Sequence, residues 1–438
     1  MNPLASELNS VIESACPGLY RMLSGLGREL YFPRGILTQT AEAREKAHRY
    51  DATIGIARSG GEAMNLASVI GRIKGLSPDQ ALDYAPATGN PALRRAWLKE
   101  MLGKNPSLKG KEISLPVVTS GITHGLTIVG ELFADTGDVI VLPDKFWGNY
   151  GMIYGTRRGA DIRTFPFFTG SGGFDIDAMA ALLDAVLSEK GKALIILNFP
   201  NNPTGYSIKR SEADSLVHAL TSVSGPGREV VVVVDDAYFG LFYDGDVLPE
   251  SVFGLLAGRS EHLFPVKLDG ATKEMYVWGF RTGFITFSAL AVGREKEVYT
   301  AIEKKVGGSI RGNISNCSQL SQSILLEAMG DPGLAGQAQE KFQLMKSRAL
   351  KVREVLENEE YAGAWEPYPF NAGYFMCLRL KDIDAEELRV RLLERYGVGV
   401  IAEGGTDIRI AFSSLEVEEI PDFFDIMYRC AMELARGT

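Results

Sequence analysis

The stretch KLDGATKEMYVWGFRTGFITF, Lys267 to Phe287, sets a lysine, Lys273, in an apolar, glycine-rich run with an arginine, Arg281, eight residues on. A lysine in apolar surroundings has a depressed pKa and becomes an amine nucleophile suited to an aldehyde. Arg281 has the charge to clamp a phosphate. In a straight strand the two would stand roughly 26 Å apart at ~3.3 Å per residue, too far for one small ligand. Gly279 and Gly283 permit a bend that brings both side chains to one place. A lysine snorkelling from an edge strand is the plainer reading. In VVVVVDDAYFGLFYDG five valines end in Asp235 and Asp236. An acid at the tip of a buried strand is partly desolvated and needs a cation, and a protonated pyridine nitrogen would serve. Tyr238 can reach the same ring, whereas Asp236 reads as the cap of the next turn. In LNFPNNPTGYS, Asn202 follows a buried strand and can offer its amide to a ring oxygen. In VVTSGITHGL, a strand runs through Ser120 and Gly121 into a helix start that suits a phosphate. There His124 either lines the pocket or is an ordinary helix-start histidine. Each stretch alone also reads as a plain turn; four in one order along one chain do not.

These residues need a scaffold that gathers strand ends. The near-continuous apolar strands LPVVTS, DVIVLP, KALIILNF and REVVVVVDD alternate with helical patterns such as ITHGLTIVGELF, FDIDAMAALLDAVLSEKG and SEADSLVHALTSV. That alternation predicts an α/β fold with a mostly parallel sheet covered by helices on both faces. In such sheets ligands bind at the carboxyl ends of the strands. NPALRRAWLKEML reads as a helix capped by Asn90 with Pro91 in its first turn. Beyond about residue 295 long helical patterns lead, after a turn signal at GDPG, into a second α/β unit ending in GYFMCLRL, AEELRVRLLERYG, IRIAFSS and a last helix. Of 438 residues, 45% are hydrophobic and 23% charged, and the net charge of −9 argues against a general nucleic-acid binder or a polybasic membrane anchor. The four cysteines, Cys16, Cys317, Cys377 and Cys430, show no CxxC spacing and read as buried thiols of a reducing compartment. The acidic start MNPLASELNSVIESACPG has no basic n-region, and no apolar run approaches the ~20 residues of a membrane helix. A cytoplasmic protein without a metal is expected.

The set SGITHG, NNPTG, DDAY and ATKEMYVWGFRTG resembles the fold type I pyridoxal-phosphate enzymes of the aspartate aminotransferase superfamily, from about residue 50 to the C-terminus. The resemblance implies a large cofactor-binding domain over 61–329 and a smaller α/β domain built from both termini, 1–60 and 330–438. It implies that Lys273 bonds the cofactor aldehyde, that Asp235 pairs with the ring nitrogen and that Asn202 and Tyr238 hold the ring oxygen. Arg281, Ser120, Gly121 and Ile122 would hold the phosphate, with Thr272 a further donor because Gly270 stands where the family usually has a hydroxyl residue. In LPDKFWGNY, Trp147 would stack on the ring, with Phe146 the alternative. Tyr84, in DYAPATGNPALR, would reach the phosphate of a neighbouring subunit, which implies a homodimer with shared sites. Arg409, in GTDIRIAFS, would take the substrate α-carboxylate beside Trp147 and Asn202, and Gly60 and Gly61 would cover the substrate. In SIRGNISNCSQ, Arg311 looks like the family arginine that reaches a distal carboxylate across the dimer; an interface-loop arginine reads the same way. A ping-pong aminotransferase is implied, with aspartate or another dicarboxylic donor and 2-oxoglutarate as acceptor. An aromatic or broad donor remains open, as does a lyase or decarboxylase on the same fold. A non-catalytic regulator of this fold would carry a basic DNA-binding domain, for which the acidic chain has no room.

Overall fold

The computed structural model describes residues 2–15, 23, 25–29, 36–53, 55–291 and 293–436, so Cys16 lies outside the described residues. Seven strands form the central sheet: β1 (Val117–Thr119), β2 (Val139–Pro143), β3 (Asp161–Phe165), β4 (Lys192–Asn198), β5 (Glu229–Asp235), β6 (Leu263–Gly270) and β7 (Gly283–Phe287). Their order across the sheet is β1-β7-β6-β5-β4-β2-β3. Only β7 runs against its neighbours; the other paired strands are parallel. The valine run of β5 shows why these strands read as continuous apolar segments. Val231 and Val233 enter one core, while Val230, Val232 and Val234 enter the core on the opposite face. Ile140 and Leu142 of β2 divide from Val139 and Val141 in the same way. Period-two alternation thus buries both faces, and helices such as Gly121–Phe133, Ile176–Lys190 and Arg210–Val223 cover them. The helix Pro91–Lys104 begins at Asn90, whose side chain accepts from the backbone N–H of Ala92 and Leu93.

A second, antiparallel sheet comprises β8 (Trp365–Pro367), β9 (Met376–Leu380), β10 (Ile401–Glu403) and β11 (Asp407–Ile410), in the order β8-β9-β11-β10. The long helix Leu334–Leu356 precedes it and the helix Ile420–Ala435 follows it. Residues from the start of the chain join this unit: Tyr50 and Asp51 pair in parallel with Val398 and Gly399. The helix Ile36–Lys46 docks there too, with Gln39 exchanging two hydrogen bonds with the backbone of Ala402 (2.9 and 3.2 Å). Among the described residues no helix is long and apolar enough to cross a membrane, and no cluster of His, Cys, Asp or Glu is arranged to hold a metal ion. Cys317, Cys377 and Cys430 are free and buried.

Candidate active site

One edge of the central sheet collects the chemistry. The carboxyl ends of β1, β2, β4, β5 and β6 lie there. Because β7 runs the other way, its amino end reaches the same edge. Gly270, the last residue of β6, pairs with Gly283, the first of β7, so Lys273 and Arg281 both lie on the connection between two neighbouring strands. That answers the distance problem set by a straight strand. The turning is done by Tyr276 and Arg281, at φ 56° and 50° in the left-handed region, rather than by Gly279 and Gly283. Gly283 serves close approach instead: a Cβ there would stand 2.7 Å from the carbonyl carbon of Gly121. A Cβ on Gly270 would meet the Thr282 carbonyl oxygen at 2.8 Å and Gly283 Cα at 2.9 Å. The backbone contact leaves no room at 270 for the hydroxyl side chain common in the family. Gly121, at φ 75°, brings the start of the following helix so close to Arg281 that an added Cβ would lie 2.5 Å from Nη2. A guanidinium thus rests on the N-terminus of a helix, a pairing suited to an anion.

A cavity of about 300 Å³ opens at this edge. Lys273, Arg281, Asp235, Asn202, Tyr238, Trp147, Ile122, Thr272 and Arg409 line it, so the structure brings together most of the residues singled out in the sequence. Lys273 is half-buried, and its Nζ lies 4.6 Å from the centre of the Tyr238 ring. Burial pushes its amine down to about 8; Asp235 opposes this and Arg281 adds to it. Asp235 is almost wholly buried, and burial raises its pKa against the opposing pull of Tyr150 and Lys273. Its Oδ2 accepts the Tyr150 hydroxyl at 2.7 Å and its Oδ1 the Ala237 N–H at 3.1 Å. Burial holds the Tyr150 phenol far above its ordinary pKa, so it stays protonated and donates. Arg409 is 1% exposed and pairs with no carboxylate within 4.0 Å among the described residues. It donates to Thr53 O (2.9 Å) and Asn202 Oδ1 (3.1 Å), its Nε has no partner, and its guanidinium lies 4.4 Å from the Phe375 ring centre. Glu403 is close enough to feel its charge but makes no ion pair with it, so a ligand carboxylate can still pair with the buried guanidinium. Two residues from Trp147, Lys145 reaches β11 and pairs with Asp407 at 2.7 Å. Asp407 also accepts the Tyr368 hydroxyl at 3.1 Å.

Other expectations fall outside the cavity. Asp236 is no turn cap: its carboxylate is buried, accepts the Ser251 hydroxyl at 2.6 Å and contacts the ammonium of Lys267, which also lies 3.1 Å from Asp269. Burial pushes Asp236 up to about 6 despite that cation. Gly61 does not cover the cavity. With Gly60 it makes the left-handed turn between Arg58–Ser59 and Glu62–Ala63, and Gly60 N–H donates to Glu416. Gly55 comes to the cavity instead, where a Cβ would stand 3.0 Å from the Phe375 ring. Ser120 and Gly121 support the wall that Ile122 and Thr123 line. His124 lies off the cavity: its Nδ1 accepts the Ser120 N–H at 3.1 Å, and burial lowers its pKa, so the proton sits on a partnerless Nε2. Trp147 is in the wall and Phe146 is not. Tyr84 is 90% exposed, and Arg311 is exposed in the last turn of Glu295–Asn313, donating to Ser315 Oγ at 2.7 Å; neither lines the cavity of its own chain. Sequence reasoning missed Thr40, Arg44, Tyr150, Asn198 and Phe375 among the lining residues. Only Tyr150 left a signal, three residues after Trp147 in LPDKFWGNY.

A family profile described as Aminotransferase class I and II matches residues 56–425. The chain belongs to that family. Among curated relatives, an aspartate aminotransferase of Sulfurisphaera tokodaii is 22% identical over 78% of this chain and 83% of its own. A 2-aminoadipate transaminase of Thermus thermophilus is 26% identical over 82% and 83%. The solved structure of an aminotransferase from Anaerococcus prevotii covers 94% of this chain and 99% of its own at a TM-score of 0.83 and 24% identity, which shows the fold. This aminotransferase therefore has the pyridoxal-phosphate fold type I. Its family works with that cofactor, and the cavity fits it. An amine with no hydrogen-bond partner among the described residues, a buried carboxylate and an arginine over a helix start match an aldehyde, a ring nitrogen and a phosphate.

Proposed function

We propose that this aminotransferase holds pyridoxal phosphate in the cavity and moves the amino group of an acidic L-amino acid, aspartate being the first choice, to 2-oxoglutarate. The observation that carries the reading is one cavity lined by Lys273, Asp235, Arg281 and Arg409. When bound, the cofactor supplies an electron sink for the bond between the substrate Cα and its hydrogen. Asp235 keeps the ring nitrogen protonated, and Tyr150 holds the carboxylate in place. Asn202 and Tyr238 hydrogen-bond the ring oxygen. Arg281, the N–H groups of Gly121 and Ile122, and the Ser120 and Thr272 hydroxyls hold the phosphate, and Trp147 covers the ring face. Arg409 takes the α-carboxylate, and Asn202, bonded to it, keeps the guanidinium aimed. Lys273 Nζ would bond the cofactor aldehyde and, once freed by the substrate amine, would be the base placed to hold the proton taken from substrate Cα. The exposed Tyr84 supports a homodimer in which each chain completes its partner's site.

The test is the visible absorption of the cofactor-loaded protein before and after L-aspartate, and again after 2-oxoglutarate. Loss of the yellow band with the amino acid and its return with the oxo acid are expected. A yellow protein that ignores every amino acid, or one that releases ammonia or carbon dioxide without an oxo acid, would overturn the reading. Lys273→Ala is expected to leave the protein without the band.

A further inference from the structure

The charges lining the cavity do not balance. Arg44, Lys273, Arg281 and Arg409 line it, against one carboxylate, Asp235. The proposed function, on which this inference rests, uses three of the cations: Lys273 for the aldehyde, Arg281 for the phosphate and Arg409 for the α-carboxylate. Arg44 is left over. It makes no ion pair and no side-chain hydrogen bond among the described residues, although Glu42 and Glu45 flank it. Glu42 is engaged elsewhere, with Arg389 at 2.8 Å. One turn earlier on the same helix face stands Thr40, which also lines the cavity. Its side chain is 5% exposed, and its Oγ1 is buried without a partner. The Thr40 hydroxyl is buried without a partner at the cavity wall, and the Arg44 guanidinium one turn on is exposed and unpaired, so the two together can receive an anionic group of the ligand. The helix Ile36–Lys46 that carries both is held in place by Gln39 on Ala402 and by Ala43 packed against Gly399, so the pair is presented by a docked element.

We infer that Thr40 and Arg44 form the subsite for the distal acidic group of the substrate, so that one chain reads both carboxylates of a dicarboxylic amino acid. Arg44 supplies a charge-assisted pair and Thr40 a hydroxyl donor. Arg311, bonded to Ser315 outside the cavity, is then not the residue that selects acidic substrates.

The experiment compares kcat/KM for L-aspartate and L-glutamate with that for L-alanine in the wild-type holoenzyme and in the Arg44→Ala, Arg44→Lys, Thr40→Val and Arg311→Ala variants. Calorimetric titration with succinate, a dicarboxylate that cannot react, runs in parallel. Arg44→Ala is expected to lower the ratio of acidic to neutral turnover about 10- to 100-fold, mainly through KM, and to weaken succinate by a similar factor. Arg44→Lys recovers part of the loss, and Thr40→Val loses a smaller part. An unchanged ratio in Arg44→Ala overturns the inference, as does a selective loss confined to Arg311→Ala. A wild-type enzyme that turns over neutral amino acids as well as acidic ones overturns it too, while leaving amino transfer intact. A wild-type protein that no amino acid bleaches removes the proposed function instead.

Discussion

Replacing Tyr150 by phenylalanine isolates one hydrogen bond. The hydroxyl donates to Asp235 Oδ2 at 2.7 Å, and both side chains are almost completely buried. A hydrogen bond to a charged group contributes about 1.5–3 kcal/mol, a factor of roughly 10 to 150 in an equilibrium. Without it the carboxylate keeps the Ala237 N–H at 3.1 Å and the attraction of Lys273, while burial continues to favour its protonated form. Tyr150→Phe therefore raises the Asp235 pKa further, and a protonated acid cannot pair with a cationic ring nitrogen. The sign follows: the carboxylate is recovered as pH rises, so the defect is largest in acid and shrinks towards alkaline pH. The assay is absorbance titration of apoprotein with pyridoxal phosphate at several values between about pH 6 and 9, with thermal melting to check the fold. About tenfold weaker binding or more is expected near the acid end, closing as pH rises. A deficit of the same size at every pH would refute the electrostatic reasoning, and so would no deficit at all.

The Lys273 amine, pushed down to about 8, is neutral above that value, so cofactor capture by the apoprotein should accelerate as pH rises through about 8 and then level off. Stopped-flow rates across pH show this, and a midpoint near the ordinary 10.5 would contradict the burial argument. Lys267→Met leaves Asp236 and Asp269 buried together without their cation and should cost about 3–5 kcal/mol in urea unfolding, partly recovered by adding Asp236→Asn. Gly270→Ser forces a Cβ against backbone at 2.8 Å and should cost about 1–3 kcal/mol without tightening the phosphate. Tighter cofactor binding by that variant would show that the loop can yield.

The strands were legible because burying both faces demands continuous valine, isoleucine and leucine. The position of Asp235 followed from the end of one such run. Legible too was that Lys273 and Arg281 share one place, though not the reason they meet. The reversed direction of β7 is a pairing fact that no local pattern carries. The left-handed turns sit at Tyr276 and Arg281, residue types that do not advertise them, while the conspicuous Gly279 has open space around it. Gly61 misled for a related reason, since a paired glycine is needed by the hairpin turn as much as by a substrate. Arg44 was illegible because its place depends on a helix docking against Ala402 and Gly399, contacts that span most of the chain. Asp236 was misread because its cation, Lys267, lies on the neighbouring strand β6, thirty-one residues away.

The contact between Lys145 and Asp407 carries a kinetic consequence. It joins the loop that bears Trp147 to the strand that bears Arg409, and touches neither ligand nor cofactor position. With Lys145 21% and Asp407 5% exposed, ordinary salt screens it only weakly. The wall that bears Trp147 and the strand that bears Arg409 are therefore tied together. On the proposed function, a bound acid would be held between two walls tied by an ion pair that the substrate never meets, so breaking that pair would shorten residence time without removing a ligand contact.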